Sequence, residues 1–262
     1  MKPISKLIIR SIEETLINNN FNFNKQIDDM GHMIEIELRK KGKNFTFNDH
    51  LNALIFSLLS NQRPWKQIQE NEVIITEIFS DFDKNIMLNT DHNIFIEKLR
   101  AIKCGNRAIK KQMESLNYNI HILDQISNDF GSLDAFIVSR SPHNIAMELS
   151  QGNHYKLKQV GYALALEYLR NVGIDAVKPD THIIRILGKG RLAYSESIPS
   201  PEEAVKILEN ISKETGLSLS YLDALLWSFC ATGYGNICTS TPRCNICKLD
   251  VYCNGYIDME KC

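Results

Sequence analysis

Apolar residues recur at three- and four-residue intervals along almost the whole chain, and strand-like alternation is almost absent. Ile4, Leu7, Ile8, Ile12 and Leu16 set the pattern, which is the spacing of one face of an α-helix. Such a chain must bury helix faces against helix faces, so the expected fold class is all-α. The first helix stops at Asn18-Asn19-Asn20. A second is predicted over 25–39, ending in Lys40-Lys41-Gly42-Lys43, a polar break with a glycine. A third starts near Asn48 or Asp49 and runs to Leu59. Asn and Asp are good caps, and this helix is apolar nearly all round, which marks it as buried. Further helices are predicted over 65–79, 92–102, 106–116, 120–129, 133–138, 144–149, 163–172, from Asp180-Thr181 onward and over 220–230. Ser200-Pro201-Glu202-Glu203 reads as a helix start, with Ser as cap, Pro in the first turn and acids at the positive end of the dipole. No internal repeat is visible.

The composition narrows what such a helical chain can do. At 262 residues it holds one large domain or two small ones, and 44% hydrophobic residues exclude a mainly disordered chain. Lys and Arg number 30 against 31 Asp and Glu, a net charge of -1. That excludes a protein that holds nucleic acid by bulk charge, so any such binding comes from a local patch. Lys98, Arg100, Lys103, Arg107, Lys110 and Lys111 form one, read first as a solvated helix face. The longest near-apolar run, 51–59, contains Asn52 and Ser57 and is far below the roughly 20 residues a membrane span needs. The first residues lack the pattern of a secretory signal. A cytoplasmic protein with no membrane partner is expected, associated with the nucleoid if bacterial.

Four of the seven cysteines crowd together as Cys238-x5-Cys244-x2-Cys247-x5-Cys253. In a chain without an export signal this favours metal ligation over disulfides. Four thiolates suit Zn²⁺ or a [4Fe-4S] cluster. Zinc ribbons usually show two Cys-x2-Cys knuckles, whereas this chain has one between two longer loops. The cluster is therefore the first expectation and zinc the alternative. Arg243 and Lys248 lie in the same loop, as phosphate contacts or as plain surface charge.

Two further segments carry chemistry. In Leu157-Lys158-Gln159-Val160-Gly161, between two helical stretches, Gly161 permits a turn whose backbone N–H groups can hold a DNA phosphate. Nineteen residues after Gly161 comes Asp180, in Lys178-Pro179-Asp180-Thr181-His182. An Asp before an apolar helical run is an ordinary N-cap; its carboxylate can also serve in catalysis. His182 reads as a packing or capping residue before a proton partner.

Together these pieces resemble the helix-hairpin-helix/Gly-Pro-Asp superfamily of DNA glycosylases, and within it the branch typified by endonuclease III with its [4Fe-4S] cluster. Leu58-Leu59-Ser60-Asn61-Gln62 is similar to that branch's Leu-Leu-Ser-x-Gln segment, and Lys103-Cys104-Gly105-Asn106-Arg107-Ala108 sits where the family has a helix start. The resemblance spans roughly residues 45–253. It implies a two-lobed helical fold: a bundle over 45–174 ending in the hairpin, and a second part made of 1–44 with 175–262 that holds the cluster, with the active site between them. It implies Asp180 as the catalytic carboxylate, stabilising the sugar cation as the base leaves. Gln62, Val160, Gly161 and Lys158 become the DNA contacts, Gln62 filling the gap left by the extruded base. Trp65, Tyr162, Ala163 and Ser57 become the base pocket, and Cys238, Cys244, Cys247 and Cys253 the cluster ligands. The partner is double-stranded DNA with a damaged, mismatched or modified base, bound by a monomer.

The departures from the family bear on mechanism. Lys158 and Gln159 replace the Pro and Gly of the usual Leu-Pro-Gly-Val-Gly hairpin. Ala163 stands where bifunctional members carry the Lys that attacks the sugar, and Ala forms no Schiff base. The expectation is a monofunctional glycosylase that leaves an abasic site. The alternatives are a glycosylase/lyase using another amine, such as Lys158 or Lys156, and an inactive cluster-bearing DNA-binding module. Near Ser57, the position where the adenine-removing branch has its acid, no carboxylate occurs between Asp49 and Gln62.

Overall fold

The computed structural model describes residues 4–61 and 64–255, and among these residues the regular structure is helical with no strand. The chain divides into two compact units, residues 1–34 with 175–262 and residues 35–174. Among the described residues no helix is long and apolar enough to cross a membrane.

In the unit 35–174 the central element is the helix Phe47–Leu59. Its N-cap is Thr46, whose hydroxyl accepts from Asp49 N while the Asp49 carboxylate accepts from Thr46 N, a capping box. The start therefore lies ahead of the Asn48 or Asp49 cap expected from sequence. Nine of its thirteen residues are buried, as its nearly all-round apolar surface requires. The last carbonyls of a helix need outside donors. Here Leu58 O accepts from the buried amides of Asn106 (2.9 Å) and Gln112 (3.1 Å). Packed against this helix is Tyr162–Asn171, tied to it by Ser57 Oγ donating to Leu164 O (2.6 Å) and Asn171 Nδ2 donating to Ala53 O (3.1 Å).

Several expected helices are shorter pieces. The predicted helix 25–39 is two, Phe23–Met30 and His32–Lys40, because Gly31 adopts a left-handed φ of +75° and ends the first. The predicted 65–79 is also two, Trp65–Gln69 and Glu72–Ile78. The helix Lys84–Asn89 has no counterpart among the sequence expectations. The segment 35–44 joins the bundle unit, not the unit of the chain termini, so the bundle begins ten residues earlier than the expected position 45. The cause is Arg39. Its guanidinium bonds both carboxylate oxygens of Asp134 (2.6 and 3.1 Å) and the carbonyl of Val172 (2.7 and 2.9 Å).

In the other unit, Ile4–Asn18, Phe23–Met30, Thr181–Leu187, Pro201–Thr215 and Leu219–Cys230 pack together. Tyr221 OH donates to Glu13 (2.7 Å), and the rings of Phe23 and Tyr221 meet edge-on at 5.6 Å. The turn after the last helix passes so close that a Cβ on Gly235 would lie 2.7 Å from Ser228 O. Only glycine fits there.

Candidate active site

Asp180 is placed by the five residues before it. Both carboxylate oxygens of Asp175 accept from the first N–H groups of Leu219–Cys230, at Leu219 (3.2 Å) and Ser220 (2.8 Å). Ser220 Oγ donates to Ala176 O, and Lys178 N donates to Asp223 Oδ1 (2.8 Å). The approach segment is thus fastened at three points to one helix, and Pro179 is buried. Asp180 then caps Thr181–Leu187: Oδ1 accepts from His182 N (2.8 Å) and Ile183 N (3.1 Å). Both bonds end on one oxygen. Oδ2 takes no hydrogen bond among the described residues, and the side chain is half-buried. A carboxylate so held has a fixed direction and one oxygen available to a developing positive charge.

His182 sits beside it. Arg185 donates to Nδ1 at 3.0 Å, which leaves the ring proton on Nε2, and burial lowers the pKa despite the pull of Asp180. The ring is therefore neutral, edge-on to Trp227 with centroids 6.2 Å apart. This is the packing role expected for it.

The hairpin lies in the unit 35–174, between Pro142–Gln151 and Tyr162–Asn171. Leu157 and Val160 are buried, and Lys158, Gln159 and Gly161 are exposed. Gln159 has φ +62°; the turn keeps a left-handed residue at the place of the family's first glycine although the side chain is Gln. Gly161 is different. Its φ is -86°, and a Cβ there would meet nothing within 4 Å. Nothing among the described residues demands a glycine at 161, whereas close approach of an outside backbone would. Lys158 Nζ lies 4.0 Å over the ring of Tyr118.

The expected base-pocket residues fare unequally. Ser57 is wholly buried and spends its hydroxyl on Leu164 O. Tyr162 is buried, with its hydroxyl 2.7 Å from His143 Nδ1. Both hydroxyls are thus engaged inside the bundle, and only a small part of the Tyr162 side chain reaches the surface. Ala163 is half-buried on the first turn of its helix. Trp65 opens the helix Trp65–Gln69 and is half-buried, with its indole N–H buried and without a partner. Gln62, the expected duplex-filling residue, lies outside the described residues. The six basic residues from Lys98 to Lys111 are all exposed.

Cys238, Cys244, Cys247 and Cys253 line one cavity, walled by Ile186, Leu192, Phe229, Ile237 and Leu249 and approached by Arg191 and Arg243. No carboxylate lines it. The loop is anchored to the first helix, where Lys248 N donates to Thr15 Oγ1 (3.1 Å) and Lys248 Nζ pairs with Glu14 (3.1 Å). Lys248 is thereby an anchor with its charge already matched. Burial pushes the Cys247 thiol up to about 12. Among the described residues no three His, Cys, Asp or Glu side chains converge tightly enough for a single metal ion.

Sequence reasoning missed the residues that hold these sites: Asn119, Asp175 and Asp223. Asn119 was visible only as a polar residue within the apolar stripe Leu116, Ile120, Leu123, Ile126.

No family model matches the chain. Two curated relatives are both called 8-oxoguanine DNA glycosylase/AP lyase. The one from Aquifex aeolicus is 45% identical over 78 residues, 28% of this chain and 34% of that protein. The one from Methanocaldococcus jannaschii is 30% identical over 138 residues, 50% of this chain and 59% of that protein. The matched stretches thus span about a third and three-fifths of those relatives. The crystal structure of the Methanocaldococcus jannaschii 8-oxoguanine glycosylase/lyase with a 15mer DNA containing 8-oxoguanine superimposes with a TM-score of 0.57 at 25% identity, over 85% of this chain and 96% of that one. The fold is that of the helix-hairpin-helix DNA glycosylases. Its relatives and structural neighbours are thus DNA glycosylases, in agreement with the resemblance to the helix-hairpin-helix/Gly-Pro-Asp superfamily.

Proposed function

We propose that the protein is a DNA glycosylase that hydrolyses the N-glycosidic bond of an extruded base in double-stranded DNA. The observation that carries this is Asp180. Its carboxylate is aimed by a helix cap, fastened through Asp175 and Asp223, and keeps one oxygen unengaged. As the C1′–N bond breaks, the electron pair leaves with the base and the sugar becomes cationic. The Asp180 carboxylate stabilises that charge and directs water to C1′. The backbone N–H groups at Gly161 take a strand phosphate, which is why a glycine without an internal reason stands there. Oxidised purines are the first substrate class to test, since both curated relatives carry 8-oxoguanine in their names.

The glycosylase is monofunctional on this reading, because Ala163 occupies the position of the sugar-attacking Lys. The relatives' names include AP lyase, which favours a second reading in which another amine, such as Lys158 or Lys156, forms the imine. Borohydride trapping on cleaved DNA separates the two. A covalent adduct abolished by Lys158→Ala or Lys156→Ala supports the lyase, and no adduct supports hydrolysis alone.

The four cysteines fit a [4Fe-4S] cluster in donor type and placement: four thiols around one cavity with no carboxylate in its lining. Zinc is the alternative occupant of four thiolates, and iron and sulfide analysis of the purified protein separates the two. Bound there, such a cluster would act as a structural centre and a one-electron carrier; the glycosidic step itself requires neither. The decisive experiment is a panel of duplexes, each with one modified base and 8-oxoguanine first, scored for free base by mass spectrometry. Release by the wild type and none by Asp180→Asn is expected. Equal release by both proteins would remove Asp180 from the mechanism.

A further inference from the structure

A groove of about 600 Å³ starts at Thr181, the residue after Asp180, and follows Thr181–Leu187 into the loop beyond it. Its lining combines two isoleucines, Ile184 and Ile198, with three cations, Arg185, Lys189 and Arg191, and contains no carboxylate. Ile198 is 79% exposed, an apolar side chain left in water beside positive charge. The charge of the three cations is unmatched. Arg185 donates to His182 Nδ1 and to the carbonyl of Cys238 (3.2 Å), and Arg191 donates to the carbonyl of Gly190 (2.8 Å). Lys189 is held through its backbone, N donating to Ser197 O (3.1 Å) and O accepting from Asn254 Nδ2 (2.9 Å), while the side chain is exposed. All of these partners are neutral. Lys248 in the same unit is by contrast paired with Glu14. Gly190 adds a backbone N–H with no acceptor among the described residues, at a position where a Cβ would meet nothing within 4 Å.

We propose that this groove holds the phosphate backbone of the target strand beside the nucleotide at Asp180, with Arg185, Lys189 and Arg191 on the phosphates and the isoleucines against the sugars. The inference rests on the glycosylase reading for the identity of the strand. Position favours DNA over an acidic protein segment, because the groove begins one residue from the carboxylate that faces the sugar, and a strand with its sugar there continues along the protein surface. From Thr181 to Gly188 the helix rises about 10 Å, which spans about three phosphates of one strand at about 3.4 Å each along the duplex axis. Phosphate contacts fix register and orientation and read no base, so the groove serves every target base alike.

The experiment uses the full chain and a fluorescent duplex with a tetrahydrofuran abasic analogue at the target position, titrated by anisotropy between about 50 and 200 mM salt. Lys189→Ala should bind about 3- to 10-fold more weakly, with a salt slope smaller by about 1. Lys189→Glu should bind more weakly still and Lys189→Arg like wild type. The side chain of Lys189 is exposed and makes none of the bonds that hold its loop, so these variants fold. Lys206→Ala, at an exposed lysine of the same unit outside the groove, should match wild type. Shortening the target strand on one side of the analogue, and on one side only, should bring wild type down to the level of Lys189→Ala. Equal curves for wild type, Lys189→Ala and Lys189→Glu overturn the proposal and leave an acidic protein segment as the occupant. Equal losses in Lys189→Ala and Lys206→Ala also overturn it, by showing bulk charge, as does a Lys189 effect that survives shortening of either side. Base release is scored separately on modified duplexes. No release with the Lys189 pattern intact sinks the glycosylase reading and leaves the groove as a DNA site, and release without that pattern does the reverse.

Discussion

The side-chain amide of Asn119 holds both backbone groups of Lys158: Oδ1 accepts from Lys158 N at 2.7 Å and Nδ2 donates to Lys158 O at 3.0 Å. Asn119 is fully buried, so the two bonds form away from competing water. The hairpin is therefore set by a residue 39 positions earlier. Asn119→Ala removes both bonds and leaves two backbone groups short of partners, at a cost of about 2–3 kcal/mol. Urea unfolding checks the stability, and fluorescence anisotropy should show weaker duplex binding from the loosened turn.

At position 159 a Gln occupies the left-handed region, which costs a side-chain-bearing residue roughly 1–2 kcal/mol. Gln159→Gly relieves that strain, offset in part by the greater freedom of glycine in the unfolded chain. A net gain of about 0.5–1 kcal/mol is expected, read as a higher urea midpoint with an unchanged slope.

Gly161→Ala tests the opposite situation. The φ is ordinary and the space is open, so the fold should lose no more than about 1 kcal/mol for the poorer cap. Duplex affinity should fall far more than stability. Equal DNA titration curves for the two proteins would show that no backbone approaches position 161.

The Arg39–Asp134 pair makes the bundle acid-sensitive. Burial would raise the Asp134 carboxyl, but His50 and the two-pronged Arg39 outweigh it and hold it at about 2. Arg39 is the closer partner, because His50 Nε2 lies 3.6 Å from Asp134 Oδ1, beyond hydrogen-bond length. His50, packed against Tyr168 OH at 2.6 Å, is kept neutral by burial, its pKa lowered despite Asp134. Both groups bind fewer protons folded than unfolded. Their stabilisation is complete above the unfolded values and fades as pH falls, first below about 6.5 through His50 and then from about 4 toward 2 through Asp134. Thermal midpoints measured from pH 7 to pH 3 should decline in that order, and Asp134→Asn should flatten the lower part. Arg39→Ala strands the carboxylate and should cost about 3 kcal/mol at neutral pH.

How much could be read from the chain depended on whether the signal was local. The cap at Asp180, the turn at 157–161 and the grouping of the four cysteines all follow from residues within a few positions of each other, and each stands where spacing put it. The partners of Ser57 and Tyr162 were not legible, because a hydroxyl in a helix has the same local pattern whether it faces a cleft or a polar atom of the neighbouring helix. The break at Gly31 was missed because glycine inside an apolar repeat is compatible with a continuous helix until its φ is known.

By itself the amino-acid order determined that this protein is built of helices, where most of them start, and which side chains have the chemistry to hold a metal centre or face a sugar cation. Those properties come from the 3.6-residue period and from caps, which act over one turn of backbone. Only the tertiary structure decided which polar groups serve those sites: Asn119 under the hairpin, and Asp175 and Asp223 behind Asp180. The physical reason is that a buried polar atom must find its partner wherever packing brings one, and packing brings together residues that lie far apart along the chain.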